Sequence, residues 1–399
     1  MPVPDEALRQ ALLHHKAGRL EQAEAGYREL LGRQPAHPQA SYSLGLLLFH
    51  RGEVESALQC VRSGLTSAQS SGRMWNTLGS MLMAAGRKEE ATEAYRRCTE
   101  VEPSLTEGWY NLGICLQRAG RYDVAVDCLR EALSRASPFP GAYEALAMLL
   151  YELGRTKEAA QVSALWLSRE PSNPKAFHVA ASMSEGGAPA RASDAYVREH
   201  FDAAAAGFDE NLRQLEYRAP QLVSAALQKS AGRLTLTHVM DAGCGTGLCG
   251  PLIRAAVGKL AGVDLSPRMI EVARRRRVYD QLYVGELCAF LRTRLGTFDA
   301  VISADTLVYF GALGEAFDAV RDALRTPGIF VFTLEALGSA DRADHRLQFH
   351  GRYAHGERYV RETLKATGFV LEALSRDTLR QERGEPVAGF VVTARLAVR

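Results

Sequence analysis

The sequence predicts two halves: an all-α superhelix of stacked helix hairpins over 1–190, then an α/β domain over 191–399 with a mostly parallel sheet and a reversed last strand. Three observations predict it. The first half repeats itself every 34 residues. The second half alternates short apolar runs with helical stretches. A chain of 399 residues is also too long for one ordinary core.

The repeat is carried by Gly18, Gly52, Gly86, Gly120 and Gly154, and by an alanine five residues after each of them: Ala23, Ala57, Ala91, Ala125 and Ala159. A glycine ends the first helix of each unit where the chain must turn. The alanine lets the two helices approach closely. Pro35, Pro103 and Pro171 close their units in register, with Pro138 one residue late. One hairpin cannot bury its own apolar face, so the units stack. The pattern resembles the tetratricopeptide repeat, with five units over about 4–173 and a solvating helix over 174–184. That resemblance implies a concave groove for a protein or peptide, lined by Phe49, Arg73, Met83, Asn111, Gln117, Arg118 and Tyr151. A spacer or a dimer interface is the plainer alternative.

The segment SEGGAPARAS (184–193) has the composition of a linker, and the period stops there. From Leu236 onward, strands are expected at TLTHVMDAG, KLAGVDLS, YDQLYVGEL, FDAVISAD and GIFVFTLEA, with helices between them. A final antiparallel pair is expected at 369–377 and 387–398. Ligands on parallel sheets bind at the carboxyl ends of the strands, where the acids and glycines of this half fall.

The stretch VMDAGCGTGLCG (239–250) can be read in two frames. Gly245-Thr-Gly-Leu-Cys-Gly250 matches the dinucleotide fingerprint, which leaves a nicotinamide oxidoreductase as one alternative. In that frame a pyrophosphate would rest beside Asp241, acid against anion. A carboxylate there suits a cationic ligand with no phosphate, and S-adenosyl-L-methionine has that chemistry. DAGCGTG followed by DLSPRMIEVAR resembles the class I S-adenosylmethionine-dependent methyltransferases, whose domain is Rossmann-like, over about 193–399. The resemblance implies that Asp241, Gly243, Cys244, Gly245 and Gly247 form the methionine-side loop. It implies that Asp264 holds the ribose with Leu265 beside the adenine. Glu286 stands where the family usually has Asp, and Met269, Leu287 and Ala304 are further candidate cofactor contacts. Asp305 ends the fourth strand near the transferred methyl group, with a helix cap as its plain reading. Tyr309 is a candidate catalytic group beside it.

After the fifth strand the chain reads DHRLQFHGRYAHGERYV, dense in histidine, arginine and aromatic rings. This segment, with FDAAAAGFDENLRQLEYRAPQLV and RQERGEPVAGFVV, resembles bacterial predicted methyltransferases that carry amino-terminal tetratricopeptide repeats. His355 is the first candidate base or acceptor contact, with His350 and His345 behind it, because histidine titrates near neutral pH. Arg346 and Arg352 could pair an acceptor carboxylate, with Tyr353 alongside. Phe208, Tyr217 and Arg218 are expected to close over the cofactor. The alternative for each is a structured loop or plain core packing.

Composition sets the remaining bounds. The chain is 47% hydrophobic and 24% charged with net charge +2, as in soluble globular proteins. Its start is not read as a secretory signal, and no run reaches the ~18 apolar residues of a membrane span. Seven cysteines without a paired spacing are expected to be free thiols in a cytoplasmic protein, with no metal site. The run ARRRRV is read as a solvated helix face, so no nucleic-acid partner is expected. The expected activity is methyl transfer to an oxygen of a small carboxylic acid, phenol or alcohol. A protein-interaction scaffold that methylates a protein, or only binds cofactor, is the alternative.

Overall fold

The computed structural model describes residues 6–67, 71–136, 138–184, 187–232, 234–382 and 384–397. Glu185 and Gly186 of the expected linker and Arg383 of the expected hairpin turn lie outside them. The chain divides into two compact units, Met1–Glu170 and Pro171–Arg399.

The described residues of the first unit form five helix hairpins: Glu6–Lys16 with Leu20–Arg33, Pro38–His50 with Val54–Leu65, Gly72–Ala84 with Lys88–Val101, Thr106–Arg118 with Tyr122–Arg135, and Pro140–Glu152 with Thr156–Arg169. Each repeated glycine has a positive φ, between 73° and 83°. An added Cβ would meet nothing there, so the backbone conformation and not space demands glycine. The five repeated alanines are all fully buried at 0% exposure, which is the close approach the spacing predicts. Along the first helices, side chains of successive hairpins join: the Asn111 amide donates to Oδ1 of Asn76 at 2.9 Å, and Tyr42 pairs with Thr77 at 3.2 Å.

The second unit begins before the expected seam at 190/191. Helix Pro174–Met183, capped by the Asn173 side chain on the amides of Lys175 and Ala176, packs into it. His178 Nε2 lies 2.8 Å from the Gly351 carbonyl, and the His178 ring stacks on Tyr196 with centroids 3.9 Å apart. Ser182 donates to the Phe349 carbonyl at 3.4 Å. This helix buries Ala176, Val179 and Met183 as well. A fragment starting at 171 is therefore expected to melt cooperatively, and one starting at 191 to lose several kcal/mol, because burying one Val- or Met-sized side chain contributes about 1.5–3 kcal/mol. Equal melting temperatures for the two fragments would contradict this.

Among the described residues, nine strands form one sheet: β1 (Leu236–Ala242), β2 (Val257–Asp264), β3 (Gln281–Val284), β4 (Phe298–Ser303), β5 (Leu324–Ala336), β6 (His345–Leu347), β7 (Tyr353–His355), β8 (Phe369–Glu382) and β9 (Glu385–Leu396). The order β3-β2-β1-β4-β5 is parallel throughout. β9 runs antiparallel on β5, and β8 antiparallel on β9. The β6–β7 hairpin joins the far end of β5, where Glu335 pairs with Ala354 on one edge and Gly389 on the other. Neighbouring residues on each central strand feed two cores. Met240, Val301, Phe330 and Phe332 pack on one face, and Val239, Ile302, Ile329 and Val331 on the other, the double burial that parallel sheets require.

The last hairpin is longer than its sequence suggests. TLRQE after Asp377 is polar and reads as loop, yet it pairs with 385–388 as a continuation of β8. Leu379 and Arg380 are buried as a result.

Candidate active site

At the carboxyl ends of β1, β2 and β4 lies a cavity of about 390 Å³. Its first wall is the loop after β1. Gly243, Gly245 and Gly247 have φ of 75°, 54° and 86°. A Cβ on Gly243 would sit 2.1 Å from Oγ1 of Thr306, whose hydroxyl donates to the Gly243 carbonyl at 3.1 Å. Bare backbone is therefore required for the loop to meet the β4 end. Gly243, Cys244, Gly245 and Thr246 face the cavity, whereas Gly247 packs against the Tyr279 ring.

Asp241 and Asp264 line the same space. Asp241 Oδ2 accepts from the Tyr279 hydroxyl at 2.6 Å. Its burial pushes the carboxyl up to about 7, although the Tyr279 hydrogen bond acts the other way. Asp264 uses Oδ2 to accept from the Gly245 amide at 2.9 Å and Oδ1 to accept from the Ser266 amide at 2.8 Å. Burial raises this carboxyl too. A carboxylate oxygen accepts two hydrogen bonds, so each oxygen of Asp264 keeps capacity for a ribose hydroxyl. Leu265, Glu286, Leu287 and Ala304 complete this end. Glu286 also caps helix Leu287–Arg292, accepting from the amides of Cys288 at 3.0 Å and Ala289 at 2.7 Å. Paired glycines, two strand-end acids and a dry wall fit S-adenosylmethionine, which brings an ammonium, a sulfonium and a ribose but no phosphate.

The other end is charged. Asp305, which has φ of 53°, accepts from Thr333 Oγ1 at 2.9 Å and from Arg380 Nη1 at 2.9 Å. It is an ion-pair partner there and caps no helix. Burial raises its carboxyl, and Arg380 opposes that. Arg380 donates through Nε to Glu382 at 2.7 Å and through Nη2 to Glu335. Arg352 donates to Glu335 at 2.6 Å and to Glu382. Tyr217 and Tyr309 face the cavity beside this network, and burial pushes the Tyr309 hydroxyl up to about 12.

Several expected residues lie elsewhere. His355 is fully buried, with Nε2 at 2.8 Å from the Phe310 carbonyl, and does not line the cavity; burial lowers it to about 4. His345 sits among Tyr353, His355 and Tyr359. Tyr353 donates its hydroxyl to the Pro189 carbonyl at 2.7 Å. His350 faces a separate recess, 3.5 Å from Glu335, and Arg346 is engaged there by Asp341. Arg218 pairs with Asp377 at 2.9 Å on the surface, because the chain turns away at Glu216 with φ of 50°. Met269 is core, at 0% exposure. Phe208, Tyr217 and Arg352 do face the cavity.

Sequence reasoning missed the residues that fasten the roof. Segment 194–217 supplies Phe201, Asn211 and Leu212 to the lining. Its Asp202 accepts from Ser266 Oγ at 2.5 Å, and its Asp209 accepts from Thr246 Oγ1 at 2.5 Å and from Arg276. Arg276, one of the four consecutive arginines, also donates to the Thr246 carbonyl at 2.6 Å. No local pattern marks aspartates whose partners lie this far along the chain. Arg380 and Glu382 stood within a recognised motif but outside any expected strand.

Comparison with known proteins agrees with this division. A methyltransferase-domain family model matches residues 239–328, and tetratricopeptide-repeat models match 8–71, 72–105 and 104–162. The chain is 34% identical over 106 residues to magnesium-protoporphyrin O-methyltransferase of Rhodobacter capsulatus, covering 25% of this chain and 46% of that protein. It is 27% identical over 202 residues to malonyl-[acyl-carrier protein] O-methyltransferase of Acetivibrio thermocellus, covering 47% of this chain and 70% of that protein. The chain thus spans less than half the length of the first relative. A solved 1,6-didemethyltoxoflavin-N1-methyltransferase of Burkholderia thailandensis is 21% identical, with TM-score 0.44, covering 54% of this chain and 94% of that one.

Proposed function

We propose that this chain, which joins tetratricopeptide repeats to an S-adenosylmethionine-dependent methyltransferase domain, methylates an oxygen of a small carboxylic acid, phenol or alcohol, while its repeats bind or position a protein or peptide. The supporting observation is one cavity that joins the glycine loop and both strand-end acids to a charged far end. Both curated relatives described above are O-methyltransferases by name, which supports an oxygen acceptor. S-adenosylmethionine supplies a methyl carbon already activated by a positively charged sulfur. The chain's own contribution is alignment: holding two reactants in line can supply about 7–11 kcal/mol. Asp264 holds the ribose, the Gly243–Thr246 loop lies along the methionine portion, and Phe201, Phe208 and Leu212 exclude water from above. His345, His350 and His355 lie off the cavity, whereas His200 lines it. Arg352 and Arg380 at the charged end favour a carboxylic acid among the three acceptors, because an ionised oxygen pairs with guanidinium groups.

The test uses the full chain, methyl-labelled S-adenosylmethionine and a cell extract. Label in small organic acids that mild alkali releases as methanol is the expected result. Label only in proteins would move the acceptor to a peptide, and label that survives alkali would exclude the methyl ester.

A further inference from the structure

Resting on the proposed function, we infer that Glu382 is an internal stand-in for the acceptor's carboxylate. The acceptor is then an anion that docks on Arg352 and Arg380 in its place. Oε1 of Glu382 bridges the two guanidiniums, accepting from Arg380 Nε at 2.7 Å and from Arg352 Nη2. Both arginines and Glu382 face the cavity. Charge-assisted N–H···O bonds from guanidinium groups are how arginine recognises a carboxylate, and here two arginines direct such bonds at one oxygen.

The charge count within the cluster favours exchange of carboxylates over addition of a further one. The cluster holds two arginines against Asp305, Glu335 and Glu382, so it already carries one more acid than base. Adding an anion to the intact cluster would leave a second negative charge unpaired in a half-dry space, which is strongly unfavourable. Exchanging one carboxylate for another leaves the balance unchanged. Only one of the three acids is placed to leave. The Glu335 side chain is 5% exposed and Asp305 14%, whereas Glu382 is 30% exposed and ends β8 at the hairpin turn. A half-turn of its side chain would take it to water while Asp305 and Glu335 still hold Arg380 in position. The stand-in also gives Arg352, whose other carboxylate partner is Glu335, a second partner before the acceptor arrives.

The test is calorimetric titration of the full chain with benzoate, a small apolar carboxylate, with and without S-adenosylhomocysteine. Wild type is expected to bind benzoate weakly, and Glu382→Gln at least tenfold more tightly, because glutamine fills the same space without competing as a charge. Arg352→Met in the Glu382→Gln background is expected to abolish the gain. Benzoate affinity unchanged or reduced in Glu382→Gln would overturn the inference. So would benzylamine binding to wild type and weakening in Glu382→Gln, since Glu382 would then be a contact for a cationic acceptor. Melting temperatures monitor folding. If Glu382→Gln fails to fold, Glu382→Asp, with a shorter arm and the same charge, is expected to show a smaller gain, and no gain would overturn the inference. S-adenosylhomocysteine titrated into the same samples separates the two levels. Normal affinity with no benzoate gain removes the stand-in alone, whereas no affinity in wild type removes the proposed function.

Discussion

Asp264→Ala is expected to weaken S-adenosylmethionine binding at least a hundredfold in calorimetry, with the fold intact. Each oxygen of Asp264 holds one backbone amide, from Gly245 or Ser266, and retains an acceptor site facing the cavity. Two ribose hydroxyls bound to a charged group contribute about 1.5–3 kcal/mol each. Their joint loss is about 3–6 kcal/mol, or two to four orders of magnitude in affinity at about 1.4 kcal/mol per decade. The same substitution frees the Gly245 amide, so the loop against the methionine portion loses an anchor. The carboxyl is itself raised by burial, so its removal relieves a desolvated acid and should not unfold the domain. Unchanged affinity in a normally melting protein would remove Asp264 from the site.

The second large effect is a pH dependence set by Asp241. Without a cation beside it, this buried carboxyl titrates near 7. A bound ammonium or sulfonium favours the ionised form, so below pH 7 binding must expel a proton. Affinity for S-adenosylmethionine is therefore expected to be flat above about pH 7 and to fall toward tenfold per unit below it. Asp241→Asn should bind more weakly above pH 7 and lose the slope. The stability sign is opposite. An unfolded aspartate titrates near ~3.9, so the folded protein holds this proton more tightly. Asp241 is stability-neutral below that value and increasingly destabilising as pH rises from about 4 to 7. Asp241→Asn, which can still accept from Tyr279, should then raise the melting temperature at neutral pH, by at most about 4 kcal/mol of stability. A pH-independent affinity in the wild type would show that Asp241 does not face the cation.

The repeats were legible because single residue types met single geometric demands: glycine for a positive φ, alanine for a helix contact with no room to spare. The cofactor end was legible for a similar reason, since its glycines and acids follow strands whose apolar runs are unmistakable. The acceptor end was legible only in part, through Tyr217, Asp305, Tyr309 and Arg352, which line the cavity. Histidines 345, 350 and 355 suggest proton chemistry by residue type, yet two of them are absorbed into packing and backbone contacts between β6, β7 and the turn at Phe310. Two further groups that face the cavity, Arg380 and Glu382, come from a polar run whose strand character is set by its partner across the hairpin. Pairing of that kind leaves no period in one strand alone.

The sheet draws the two ends of the cavity from separate stretches of chain. Apart from the covering segment 194–217, the nucleotide end comes from between Asp241 and Ala304, whereas the opposite end is assembled from Asp305, Arg352, Arg380 and Glu382, with Glu335 behind the two arginines. Substitutions at Arg352, Arg380 and Glu382 are therefore expected to change acceptor binding while leaving the donor held as before.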